Sequence, residues 1–201
     1  MTKLSEAKII GGIGALLSIF TFVPYGGAFI GLIGLILVFI AVKYIADETK
    51  NHSIFQNYLM NFILSIIAIA AVIAIMIVAF GLSGGLAWVQ SIQGRNFTDF
   101  SSFWASFGTL IGGCILAFII AWVLLILGAL YLRKSYTSIA EHTKVDLFKT
   151  TGLVYFIGAI TLIVVIGIFI LVIAKILEIV SFFSLPENLP TTTEPPKMGT
   201  P

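Results

Sequence analysis

Residues 62–80 read FILSIIAIAAVIAIMIVAF, an unbroken apolar stretch without a single charge. It holds about a dozen Ile, Leu, Val and Phe residues. At roughly −0.3 to −0.6 kcal/mol each near a helix centre, they favour insertion into hydrocarbon by on the order of 5 kcal/mol. One central charge would cost about 3 kcal/mol on the same scale. Many of these side chains are β-branched, which favours strands in water. In lipid, however, the backbone must satisfy its own hydrogen bonds, and a long run without alternation does not fit a barrel strand. The stretch predicts a membrane-crossing α-helix.

Four further runs carry the same signal, giving predicted spans at about 8–23, 28–46, 58–80, 107–132 and 152–174. The first is the shortest, with Ser5 as its expected N-cap and Lys8 reaching back to the interface. The chain as a whole is 59% hydrophobic and 10% charged, too apolar to cover a soluble surface. The expectation is an all-α, polytopic bundle over residues 1–185, followed by an exposed Thr/Pro-rich tail at 186–201. A cleaved signal peptide is disfavoured. VPYGG at 23–27 is a turn into the next apolar run and offers no small-x-small cleavage site.

With a net charge of +2 and no basic block, nucleic acid is not an expected partner. The lipid bilayer is, together with a membrane-protein partner or further copies of the chain. Cys114 is the one cysteine and lies in an apolar run, so it is read as a small residue, lipid-buried or packed.

Lys and Arg fall unevenly between alternate loops, eight on one side and three on the other in the five-span reading. The basic excess predicts a cytoplasmic N-terminus and an outer C-terminus. The sequon NFT at 96–98 then falls outside, making Asn96 a possible glycosylation site, whereas NHS at 51–53 falls inside. LAWVQSI at 86–92 is read as a short helix on the outer surface, among aromatic residues suited to an interface.

Two polar phrases stand out, IADETK at 45–50 and IAEHTK at 139–144. Each follows an apolar span with a basic end and precedes another span. Dropping one residue aligns Phe55 with Phe148 and Phe62 with Tyr155. Spans 2–3 and 4–5 are therefore read as a parallel repeat of two helix–loop–helix units.

The two histidines fall in these regions. Glu48 and His52 are four apart, as are His142 and Asp146, and on helices each pair would share a face. Carboxylate with imidazole is a metal or proton-transfer set; ordinary solvated charge pairs are the plainer alternative. No cofactor is expected. Asn57, Asn61, Thr109 and Thr161 are read as interhelical hydrogen-bonding groups. Lys175 and Glu178 are read as an i,i+3 pair at the outer interface, leaving no carboxylate for ion coupling within the membrane. Gly27 with Gly31, and Gly108 with Gly112, are GxxxG pairs. GGIG at 11–14 with Ser18 gives span 1 a small face. Both features suit close helix packing.

The blocks KIIGGIGALL, VPYGG, GLIGLILVFIAVKYIAD, SIFQN, LRKSYTSIAEHTKVDLFKTTGLVYFIGAI and FFSLP together resemble the archaeal membrane family named domain of unknown function 996. The resemblance covers about residues 7–186 and implies an integral membrane protein without assigned functional residues. Three functions stay open on the sequence. The leading one is a non-enzymatic structural or accessory subunit of a membrane complex. A small oligomeric transporter or channel is the alternative, and a membrane-embedded metal or enzyme site the third.

Overall fold

A computed structural model describes residues 2–22, 27–84 and 100–190. Residues 23–26 of the turn expected at 23–27, the helix expected at 86–92, the Asn96 sequon and the tail from 191 lie outside these residues. Six α-helices are present among them, and no strand. They are α1 (Lys3–Ile19), α2 (Gly27–Glu48), α3 (His52–Leu82), α4 (Phe100–Thr143), α5 (Leu147–Thr161) and α6 (Ile166–Phe183). Helix α1 begins two residues before the expected cap: the Thr2 hydroxyl accepts from the Ser5 backbone N–H at 3.3 Å.

Five helices are long and apolar enough to cross a membrane, the number the sequence predicts, but they are not the predicted five. Helix α1 is slightly short, and the single span expected at 152–174 is two helices. After Thr161 the chain tightens into a 3-10 turn, Leu162–Val164, and Val165 adopts φ 65°. That conformation reverses the chain. Thr151 lies against Ser181 (Oγ–Oγ 2.9 Å) and Gly158 against Leu171, so α5 and α6 form an antiparallel hairpin. The hairpin does not cross the bundle. Trp122 donates its indole N–H to the Ala159 carbonyl at 2.9 Å, fixing the level of the tip. From there the apolar part of α4 continues to Phe107, about 22 Å further at 1.5 Å per residue. The hairpin turns within two helical turns of the same point. Its tip exposes Ile163, Val164, Val165, Ile166 and Phe169, as a lipid-facing tip should.

This split changes the placement of the ends. The sequence reading puts the two termini on opposite sides. Instead the Thr2 hydroxyl donates to the Glu187 carbonyl, so the chain at residue 187 has returned to the end where α1 starts. Lys3 and Asp47 also pair there, at 3.6 Å. The buried core gathers toward this end, around Leu4, Ile45, Ile54, Tyr136, Phe148 and Phe182. Toward the other end α3 and α4 are covered mainly by each other. Only 11% and 6% of their apolar windows is buried inside the chain, which suits helices standing in lipid.

The two polar phrases build matching turns. Thr49 and Thr143 each donate to the carbonyl four residues back, on Ile45 and Ile139, both at 2.8 Å. Lys50 and Lys144 then take left-handed conformations, φ 54° and 58°, and end α2 and α4. The next helices open with equivalent bonds, Ile54 N–H to Asn51 and Phe148 N–H to Val145. Counted from these turns without dropping a residue, Ile54 and not Phe55 stands at the place of Phe148. Both are fully buried.

Three glycines of α1 pack closely. A Cβ on Gly14 would stand 2.7 Å from the Gly34 carbonyl oxygen, and Gly11 and Gly12 seat the rings of Phe182 and Phe183. Of the GxxxG residues, Gly31 meets Thr21 and Gly27 is buried. Gly108 and Gly112 meet nothing within 4 Å among the described residues. The close contact expected at those two is made by Gly113, against Ala79.

A lysine in left-handed conformation carries roughly 1 kcal/mol of strain that glycine lacks. Lys144→Gly is therefore expected to raise the unfolding midpoint in detergent, by about 1 kcal/mol in stability. Gly167→Val is expected to lower it by about 1–3 kcal/mol, because a Cβ there would lie 2.5 Å from the Gly158 carbonyl oxygen.

Candidate functional site

The hairpin carries Glu178 into the protein. Leu171, Lys175 and Glu178 follow one another at helical spacing along one stripe of α6. Small residues on the same helix, Ala174 and Ser181, are buried and let neighbouring helices approach closely. The Glu178 side chain is only 3% exposed.

Its carboxylate is held by donors from three helices. Tyr136 of α4 donates to Oε1 at 2.5 Å. Tyr155 of α5 donates to Oε2 at 2.6 Å, and Lys175 of α6 to the same oxygen at 2.8 Å. A buried charge without such partners would be prohibitive, and with them each bond is charge-assisted. Lys175 also lies over the Tyr155 ring, 5.6 Å from its centre. Tyr58 of α3 stacks on Tyr136 at 6.3 Å.

Above this cluster is a cavity of about 220 Å³ between α2, α3, α4, α5 and α6. Its polar lining is Tyr58, Asn61, Ser65, Tyr155, Lys175 and Glu178; the rest is mostly leucine and alanine. From the Glu178 cluster a chain of aromatic rings leads on through the core. Tyr136 meets Phe148 at 5.5 Å, and Phe148 meets Phe182 at 5.2 Å.

The sequence-predicted groups lie elsewhere. Glu48 is the last residue of α2 and His52 the first of α3, so a turn separates them and they share no helix face. His142 ends α4 and Asp146 caps α5, split in the same way. Among the described residues no three His, Cys, Asp or Glu side chains gather as a metal set. His142 instead braces the turns. Its Nδ1 lies 2.8 Å from the Ser138 carbonyl, which only accepts, so Nδ1 carries the proton. Its Nε2 then faces the Asn51 amide at 3.5 Å. Of the polar residues expected inside the spans, Asn61 reaches the cavity, whereas Thr161 bonds its own helix at Ile157. Cys114 is exposed on α4, beside the Met76 sulfur at 3.8 Å.

The Lys175–Glu178 pair forms as read, but in the protein interior and not at an interface. It was misplaced because the sequence shows no break before it. Had α6 been started at Ile166, a charge pair inside an otherwise uncharged helix would have been legible.

Fold and site together define a polytopic α-helical membrane protein in which a hairpin, entering the bundle and turning back, buries a carboxylate–amine pair beside a cavity. The family model described as a protein of unknown function, DUF996, matches residues 30–176, and the chain belongs to that family. An uncharacterised protein of Methanocaldococcus jannaschii is 36% identical over 188 residues, covering 93% of this chain and 96% of its own length. No solved structure matches.

Removing one partner of a buried ion pair strands the other charge. Lys175→Met is expected to destabilise the protein by about 3–5 kcal/mol, and Lys175→Met with Glu178→Leu by clearly less. Tyr136→Phe and Tyr155→Phe are each expected to cost about 1–2 kcal/mol. Equilibrium unfolding of the purified variants in mixed micelles checks the set.

Proposed function

We propose that this protein is a small, non-enzymatic membrane transporter whose solute site is the cavity beside Glu178 and Lys175. The observation that carries this reading is an ionisable pair lining a cavity within membrane-spanning helices. Such groups are costly in hydrocarbon and mark solute paths and proton relays. Helices broken within the membrane frame the binding sites of many transporters, as the α5–α6 hairpin frames this one. Lys3, Lys43, Lys50, Arg133, Lys134, Lys144 and Lys149 belong to the end where the polar turns meet. That excess favours the cytoplasm for that end.

The test is reconstitution into liposomes, following solute entry and lumenal pH under imposed gradients. Protein-dependent flux that Lys175→Met lowers at least about tenfold is the expected result, since a charged hydrogen bond is worth about 1.5–3 kcal/mol. Vesicles no more permeable than protein-free ones to any solute tried would overturn the reading.

One observation favours an accessory-subunit role instead. Gly112 and Gly113 line an apolar groove of about 370 Å³ between α3 and α4, with Ala74 and Ala79 opposite. Small residues on an open face suit a second membrane helix. A partner that co-purifies in fixed ratio after gentle extraction, with no flux from the reconstituted chain, would support it.

A further inference from the structure

We infer that the cavity takes up a small monovalent anion together with one proton; the inference rests on reading this same cavity as the solute site. It follows from which hydrogen-bonding groups are already used. Both oxygens of Glu178 are occupied by donors: Tyr136 on one, Tyr155 and Lys175 on the other. A metal cation approaching the carboxylate would meet hydroxyl and ammonium hydrogens, where it needs several oxygen ligands. Lys175 keeps donors that Glu178 does not use. Lys175 has three N–H bonds and gives one to Glu178; its side chain is 24% exposed and lines the cavity. The Asn61 amide lines the same wall and makes no side-chain hydrogen bond among the described residues. One turn further along α3, Ser65 gives its hydroxyl hydrogen to the Asn61 backbone carbonyl.

Charge decides the rest. With Glu178 ionised and Lys175 protonated, the pair is neutral. An anion entering alone would leave a net negative charge in a low-dielectric interior, which is strongly unfavourable. A proton arriving on Glu178 removes that excess and releases the third Lys175 donor. The proton adds to one carboxyl oxygen and points at a tyrosine oxygen, while the other carboxyl oxygen goes on accepting. Anion and proton thus enter with no net change in charge. Apart from Lys175, the groups around Glu178 carry no charge: Tyr136 and Tyr155 directly, Tyr58 behind Tyr136, and Leu35 from α2 in the cavity lining. At about 30 Å³ per water, 220 Å³ corresponds to about seven waters. That admits a halide, nitrate or a three-carbon carboxylate.

The test uses the purified full chain in detergent, in weak buffer with a pH dye, titrated with sodium chloride, nitrate or lactate. Sodium sulfate, a dianion that one proton does not neutralise, serves as control. Calorimetry gives the binding, and the dye the protons. Uptake of about one proton per anion is expected, with affinity rising about tenfold per pH unit on acidification. Lys175→Met should weaken binding at least about tenfold, and Lys175→Arg should hold it within a few fold. Glu178→Gln should bind the anion without proton uptake. Where a variant does not fold, the wild-type stoichiometry decides. Anion binding without protons overturns the inference, as does the absence of anion binding at any pH. Proton-linked binding without flux in liposomes keeps the inference and removes the transport reading. Flux of another solute without anion binding does the reverse.

Discussion

A carboxylate inside a membrane protein has to be surrounded by donors, and here those donors come from three helices. That requirement ties the inner half of the bundle together. Tyr136 fixes α4, Tyr155 fixes α5, and Lys175 closes the shell from α6 itself. The rings that carry two of these hydroxyls then become packing surfaces. Tyr136 holds Tyr58 on one side and Phe148 on another, and Phe148 holds Phe182. A polar shell around one side chain therefore sets the register of four helices. It also explains why the buried core lies toward the end with the polar turns, while the far halves of α3 and α4 are left to lipid.

The hairpin that delivers Glu178 needs its own compensation. Breaking a helix in hydrocarbon frees backbone groups that water cannot reach. The turn recovers them locally: Val165 N–H bonds to Leu162, and Ile168 N–H to Val165. The Thr161 hydroxyl caps the Ile157 carbonyl. What is not recovered is the strain of a β-branched residue at φ 65°, a position where such side chains are rare. The anchoring at Glu178 and the Thr151–Ser181 contact offset that strain by holding both legs of the hairpin.

Most of the architecture was legible because it depends on composition alone. The run at 62–80 dictates a helix in lipid whatever it packs against, and α2, α3 and α4 contain the apolar runs read there, α3 starting six residues earlier and α4 ending eleven later. The site was not legible, because it depends on one local break. ITLIVVIGIF contains no proline and no asparagine, and its hydropathy does not falter. The only hints are Gly158 and Gly167, which let the two legs touch, and Thr161 between them. Missing that break moved Lys175 and Glu178 toward the outer surface and residue 187 away from the end where α1 starts. The His and Asp pairs failed for a related reason. Spacing of four residues means a shared face only within one helix, and Lys50 and Lys144 end their helices inside those windows.

The two polar turns lead to different outcomes, and the cavity comes from that difference. After IADETK the chain runs on as α3 for 31 residues without interruption. After IAEHTK it runs as α5 for 15 residues and turns back. Were the second unit built like the first, α5 would continue past Ala159 along α4, and no leg would return. Lys175 and Glu178 would then sit beyond the far end of α4's apolar stretch, with nothing from Tyr136 to meet them. The space between Asn61, Leu125 and Leu171 exists because the returning leg is offset from the one that enters. An ionisable pair and a room beside it thus arise together, from the one place where two similarly begun units part.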